Sequence, residues 1–138
     1  LEVFRRFIAA QGGDPRVCDD YSLFPASRSR EELLAMDSGT IARVDSFAVG
    51  MAAIDTGAGR RRKEDAIAHG SGFIFHANVG DPVAKGQKLV TIHSDRPELL
   101  PAVRERLRTA IELSRKPVAR PKMVLHLVDK DGVRPWPQ

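Results

Sequence analysis

The stretch from Phe73 to His93 leaves the backbone few choices. Two β-rich runs, Phe73-Ile74-Phe75-His76 and Lys88-Leu89-Val90-Thr91-Ile92-His93, flank the segment ANVGDPVAKGQ. Gly80-Asp81-Pro82 and Gly86 supply turn chemistry within it, at a spacing that suits a compact hairpin-like connection. An amphipathic helix follows: Val103, Leu107, Ala110 and Ile111 share one face, and Arg104, Glu105, Arg108 and Glu112 share the other. Asp95 with Glu98 resembles a capping box, and Pro101 fits only a first turn, so the spacing predicts a helix starting near Leu99 to Pro101. Pro117 pushes Lys116 out of the α region, which predicts an end by Lys116. A chain with these elements is α+β.

The remaining segments are less strongly patterned. Val3, Phe4, Phe7 and Ile8 recur at helical spacing, with Gly12 as a C-terminal stop. Neither an initiator Met nor a capping residue precedes this helix, so the chain is expected to be cut from a longer polypeptide. Gly12-Gly13-Asp14-Pro15 forces a turn, and residues 16 to 30 read as a connector. Residues 41 to 54 read as one or two extended or short helical pieces broken at Gly50. Residues 122 to 128 form a last strand, and the tail RPWPQ is expected to fray.

Composition narrows the function. The 138 residues carry 22 Lys+Arg against 18 Asp+Glu, a formal +4, which favours anions in general without selecting one. Cys18 is the single cysteine, so an internal disulfide or a cysteine zinc cluster is excluded, and a cytoplasmic, reducing setting suits the chain. No run approaches the roughly 20 apolar residues of a membrane span. His69, His76, His93 and His126 show no i, i+2 or i, i+4 pair that could present two imidazoles to a metal. Ser71, Ser94 and Cys18 lie in no nucleophile signature. No metal, cofactor or catalytic residue is therefore assigned.

The basic run Arg60-Arg61-Arg62-Lys63, within GAGRRRKED, is the one candidate site. It lacks the G-x-x-x-x-G-K-[ST] pattern of a phosphate loop, because no Ser or Thr follows Lys63. No aromatic stands beside it for base stacking, and Glu64 and Asp65 answer it at once, which argues against nucleic acid. Two readings stay open: a salt-bridged loop ordered by acidic neighbours, or an anion-facing edge of a cleft, since guanidinium groups suit phosphate.

The V-G-D-x-V-x-K-G-x-x-L pattern at residues 79 to 89 resembles the turn of biotinyl and lipoyl carrier domains, but the position of the modified lysine is occupied by IHSDRPE. A wider resemblance covers most of the chain. AAQGGDP (9 to 15), GMAAIDTGAGRRRKED (50 to 65), VGDPVAKGQKLVTIHSDRPE (79 to 98) and KPVARPKM (116 to 123) together resemble the C-terminal portion of the pyrimidine-nucleoside and thymidine phosphorylases. They are closer to the broad-specificity pyrimidine enzymes than to the thymidine-restricted ones.

This resemblance implies a small α/β-hammerhead domain with a barrel-sandwich-like β portion over residues 28–138, preceded at 1–27 by the tail of an α/β domain and its connector. It implies phosphorolysis of uridine, thymidine or deoxyuridine to base and pentose 1-phosphate, with nucleoside and phosphate held by upstream domains. No substrate-binding residue carries over, so the piece alone is expected to be inactive. It is expected to be monomeric or weakly associated, the parent being a homodimer, with Arg60, Arg61, Arg62 and Lys63 bordering the interdomain cleft. Alternatives are a free-standing basic module with a biotinyl-like sandwich, or part of a nucleoside-monophosphate phosphorylase.

Overall fold

The computed structural model describes residues 1–137. Helix α1 (Glu2–Ala10) forms on the expected apolar spacing and stops where Gly12 turns to φ +77°, the conformation that favours glycine. It buries none of its residues and packs principally against a 3-10 turn at Pro15–Cys18. Leu1, Val3, Phe4 and Phe7 are each more than half exposed. Asp14 and Asp20 cap this turn and the next, Tyr21–Leu23, by accepting from the backbone N–H groups of Arg16 and Ser22.

Strand β1 (Ser29–Leu34) was not expected from its sequence, SREELL, whose Glu and Leu content suits a helix equally well. Beyond it, residues 41 to 54 divide at Asp45 rather than Gly50. β2 (Gly39–Val44) precedes the break and α2 (Ser46–Thr56) follows it, and the Asp45 carboxylate accepts from Ala48 N–H as an N-cap at 3.0 Å. Gly50 sits on the exposed side of α2 with open space where a side chain would be, so the helix runs through it.

Next in order come β3 (Gly72–Phe75), β4 (Pro82–Val83) and β5 (Lys88–Ser94). β3 and β5 pair antiparallel, with Phe73 opposite Ile92 and Phe75 opposite Val90, as the turn chemistry between them requires. Their connection also lends β4 to another sheet, where it pairs with β2. β5 lies between β1 and β3, so Leu89, Val90, Thr91, Ile92 and Ser94 are all buried.

A 3-10 turn, Pro97–Leu99, leads into α3 (Leu100–Ala110). The expected face is correct: Val103, Leu107 and Ala110 are buried with Leu100. Two expectations need correction. The Asp95 side chain does not cap this helix, because its carboxylate accepts instead from Arg28 N–H. Nor does the helix continue towards Lys116: Ile111 leaves the helical region at φ −107° and begins β6 (Ile111–Ser114), which pairs with β2.

β7 (His126–Asp129) and β8 (Gly132–Pro135) form a separate hairpin, so Arg134 and Pro135, expected to fray, lie in a strand. Gln138 of the tail lies outside the described residues.

The described residues make an α+β unit with three small sheets, ordered β1-β5-β3, β4-β2-β6 and β7-β8, none of which closes on itself. α2 and α3 pack together, and one core joins α3 and Ala52 of α2 to Leu33, Ile41, Val83, Val90 and Ile92 of the strands. Among the described residues no helix is long and apolar enough to cross a membrane.

Candidate functional site

The basic run follows directly from the end of α2. Gly57 takes φ +103° and closes the helix, its N–H donating to the Ile54 carbonyl and that of Ala58 to the Ala53 carbonyl. The chain then loops out and returns to itself, since Ala68 N–H donates to the Gly57 carbonyl at 2.9 Å. Inside the loop, one oxygen of Asp65 accepts from the backbone N–H groups of Arg61 and Arg62, each at 3.0 Å. These donations, that of Arg62 foremost, hold the Asp65 carboxyl below the usual carboxylate range, and the charges of Arg96 and Arg60 add to the effect.

The loop is therefore ordered by an acidic neighbour, but through its backbone. Of the four basic side chains, only Arg61 makes an ion pair within 4 Å among the described residues, and its partner is Asp55 rather than Glu64 or Asp65. Asp55 is 8% exposed and sits in the last turn of α2, where the helix dipole disfavours a carboxylate. Arg61 and Arg106 of α3 compensate, Arg61 through a hydrogen bond to one oxygen and Arg106 at 3.7 Å from the other. Arg60, Arg62 and Lys63 stand exposed on this fixed backbone.

Two larger grooves among the described residues lie elsewhere. One groove, of about 910 Å³, lies between the start of α2, the turn around Asn78 and the segment Arg120–Met123. Another, of about 770 Å³, lies between Tyr21, Phe24 and the β1-β5-β3 sheet at Arg30, Phe73 and His93. Neither is lined by Arg60, Arg61, Arg62 or Lys63.

The other residues weighed from sequence are spread out. His93 Nδ1 lies 3.2 Å from Ser27 Oγ, and His76 Nε2 lies 2.7 Å from Thr91 Oγ1. His69 is in an exposed turn and His126 is in β7. Ser94 Oγ donates to the Thr56 carbonyl, Ser71 Oγ accepts from Asp95 N–H, and Cys18 is a half-buried free thiol. Among the described residues no trio of His, Cys, Asp or Glu is grouped to hold a metal.

Comparison with known proteins bears on the same region. Residues 40–114, from β2 through β6 and including the whole loop, match the family model described as the pyrimidine nucleoside phosphorylase C-terminal domain. The chain belongs to this family. The pyrimidine nucleoside phosphorylase relationship extends beyond the matched core. A pyrimidine-nucleoside phosphorylase of Geobacillus stearothermophilus is 41% identical over 124 residues, covering 90% of this chain and 28% of the relative. That of Bacillus subtilis is 36% identical over 115 residues, covering 81% and 27%. A thymidine phosphorylase of Mycobacterium tuberculosis is 38% identical over 107 residues, covering 78% and 24%. The chain thus spans about a quarter of the length of the curated relatives it matches.

The sequence singled out the loop but not Asp55 or Thr56, and it pointed Asp95 to a helix cap rather than to the connector. The available signal was an acid at the end of an apolar helix, IDTG, which calls for a cationic partner that the helix itself does not supply.

Proposed function

We propose that this chain is the C-terminal lobe of a pyrimidine-nucleoside phosphorylase and shapes one wall of a cleft whose reacting groups lie upstream. In the reaction a phosphate oxygen attacks the anomeric carbon of uridine, thymidine or deoxyuridine. The bond from that carbon to the base nitrogen breaks, and the base leaves with the electron pair. Donors must meet the charge that develops on the base, and cations must meet the phosphate. The observation that carries the reading is the family match across β2 to β6, which takes in the complete basic loop. The uncovered apolar face of α1 supports it, since Val3, Phe4 and Phe7 gain burial only against further protein.

On this reading residues 28–138 form an α/β-hammerhead whose β1-β5-β3 and β4-β2-β6 sheets make its sandwich portion, and residues 1–27 belong with the preceding α/β domain and connector. The parent is a homodimer assembled through other domains. Arg60, Arg62 and Lys63 border the cleft and raise the local concentration of phosphate-bearing reactants.

The test compares this chain with a full-length phosphorylase containing it, using uridine or thymidine with phosphate and following base release. The chain alone gives no turnover and the full-length protein cleaves both nucleosides. In the full-length protein the triple variant R60A/R62A/K63A lowers kcat/KM by about three- to tenfold, with a weaker dependence on salt. Robust turnover by the isolated chain overturns the division of labour. Unchanged kcat/KM in the triple variant removes the loop from the cleft.

A further inference from the structure

Two segments far apart in sequence meet at the end of β5. The connector ahead of β1 is fastened there by three contacts. Arg28 N–H donates to the Asp95 carboxylate at 2.8 Å. Ser27 Oγ lies 3.2 Å from His93 Nδ1 and donates its single proton to the Ser29 carbonyl at 3.0 Å. With that proton so placed, the hydroxyl is free to accept from His93 Nδ1–H. Finally, the connector lies directly on Gly70: a Cβ there would fall 2.6 Å from the Pro25 carbonyl oxygen and 2.8 Å from Ser27 N. No side chain fits at that crossing.

The basic loop is fastened to the same place at both of its ends. At its entrance, the buried Thr56 carbonyl accepts from Ser94 Oγ and from Asp95 N–H, each at 3.2 Å. At its exit, Ser71 Oγ accepts from Asp95 N–H at 3.0 Å, and Ser71 N–H donates to the Ala68 carbonyl. Ser94 Oγ in turn accepts from Arg96 N–H, and the Arg96 charge bears on Asp65 inside the loop.

We infer that Asp95 is a positioning residue that couples the connector to the basic loop: its carboxylate holds the connector, while its amide holds the two ends of the loop. A shift of the connector relative to the lobe is transmitted through one residue to Arg60, Arg62 and Lys63. Cations that must meet a ligand across a closing cleft are thereby set by the same peptide that follows the segment leading into the lobe. The catalytic consequence rests on the phosphorylase reading above, whereas the coupling stands on these contacts alone. Intermediacy in space is not coupling, so the test must perturb one end and read the other.

Hydrogen exchange followed by mass spectrometry on the whole chain reads the connector (25 to 29), the loop (57 to 66) and β5 (88 to 93) separately. Asp95→Ala accelerates exchange at least tenfold in both connector and loop and leaves β5 unchanged. Asp95→Asn, whose amide oxygen still accepts from Arg28 N–H, restores both. Acceleration confined to the connector, or none in either segment, overturns the coupling. Should Asp95→Ala also loosen β5, Ser27→Ala decides, because it frees the connector from His93 and the Ser29 carbonyl without touching Asp95 or either end of the loop. The loop must then exchange faster too, and an unaltered loop refutes the inference. In a full-length phosphorylase, Asp95→Ala and the R60A/R62A/K63A change combine non-additively in kcat/KM. Absence of any turnover there counts against the phosphorylase reading and leaves the exchange result to judge the coupling.

Discussion

Replacing Asp55 by Ala tests how the loop is held. In the native protein this carboxylate is 12% exposed in its side chain, while Arg61 and Arg106, which face it, are 55% and 39% exposed. Breaking a fully buried pair costs about 3–5 kcal/mol, because the stranded charge has nowhere to go. Here both guanidinium groups relax into water, so the loss is mainly the attraction and the hydrogen bond to Arg61. Removing a carboxylate from the last turn of a helix also returns about 0.3–1 kcal/mol of dipole repulsion. The net cost is about 1–2 kcal/mol. With a urea slope of about 1–3 kcal/mol per molar, the unfolding midpoint falls by roughly 0.5–1 M. A double-mutant cycle with Arg61→Ala recovers most of the effect as coupling, while Arg60→Ala shows none. A midpoint unchanged or raised in D55A means that desolvation of the acid outweighs its two cations and that Asp65 alone orders the loop.

Two further outcomes follow from the same contacts. Leu107→Ala empties a fully buried position between α3 and the strands and costs about 3 kcal/mol in urea unfolding; a loss below about 1 kcal/mol refutes the assignment of Leu107 to the core. The Asp65, Asp45 and Asp81 carboxyls are all held below the usual range, chiefly by backbone N–H donors, so their contribution is present above about pH 4 and is lost as pH falls through their lowered values. Asp65→Asn flattens the decline in stability below about pH 4, and an identical slope in variant and wild type rejects the contribution of Asp65.

What the sequence disclosed and what it concealed have physical causes. β3, β5 and the buried face of α3 were legible because Gly, Pro and a regular apolar period bound them locally. β1 was not, since Glu31 and Glu32 favour a strand only once β5 offers a partner, with Glu32 opposite Thr91. The end of α3 was misjudged for the same reason: Glu112 continues the helical charge pattern, but pairing of Ile111 with Val44 captures the backbone. Gly50 looked like a break, yet Asp45 provided a better one, and the glycine faces solvent where a helix tolerates it. The loop at Arg60 could be found from its composition. Its supports could not, because Asp55 meets Arg106 and Thr56 meets Asp95 only after α2, α3 and β5 have been brought together.

The strand order also governs how the molecule is made. β1 must wait for β5, with Ser29 opposite Ser94, and β2 must wait for β6, with Thr40 opposite Ser114. During synthesis, β1 therefore leaves the ribosome well before its partner, and neither three-stranded sheet can be completed by the N-terminal half alone. Such non-local pairing carries a large loop-closure cost before any contact is rewarded, which favours folding over milliseconds to seconds rather than microseconds. In that interval the unpaired edges of β1 and β2 are open to a chaperone or to a second nascent copy.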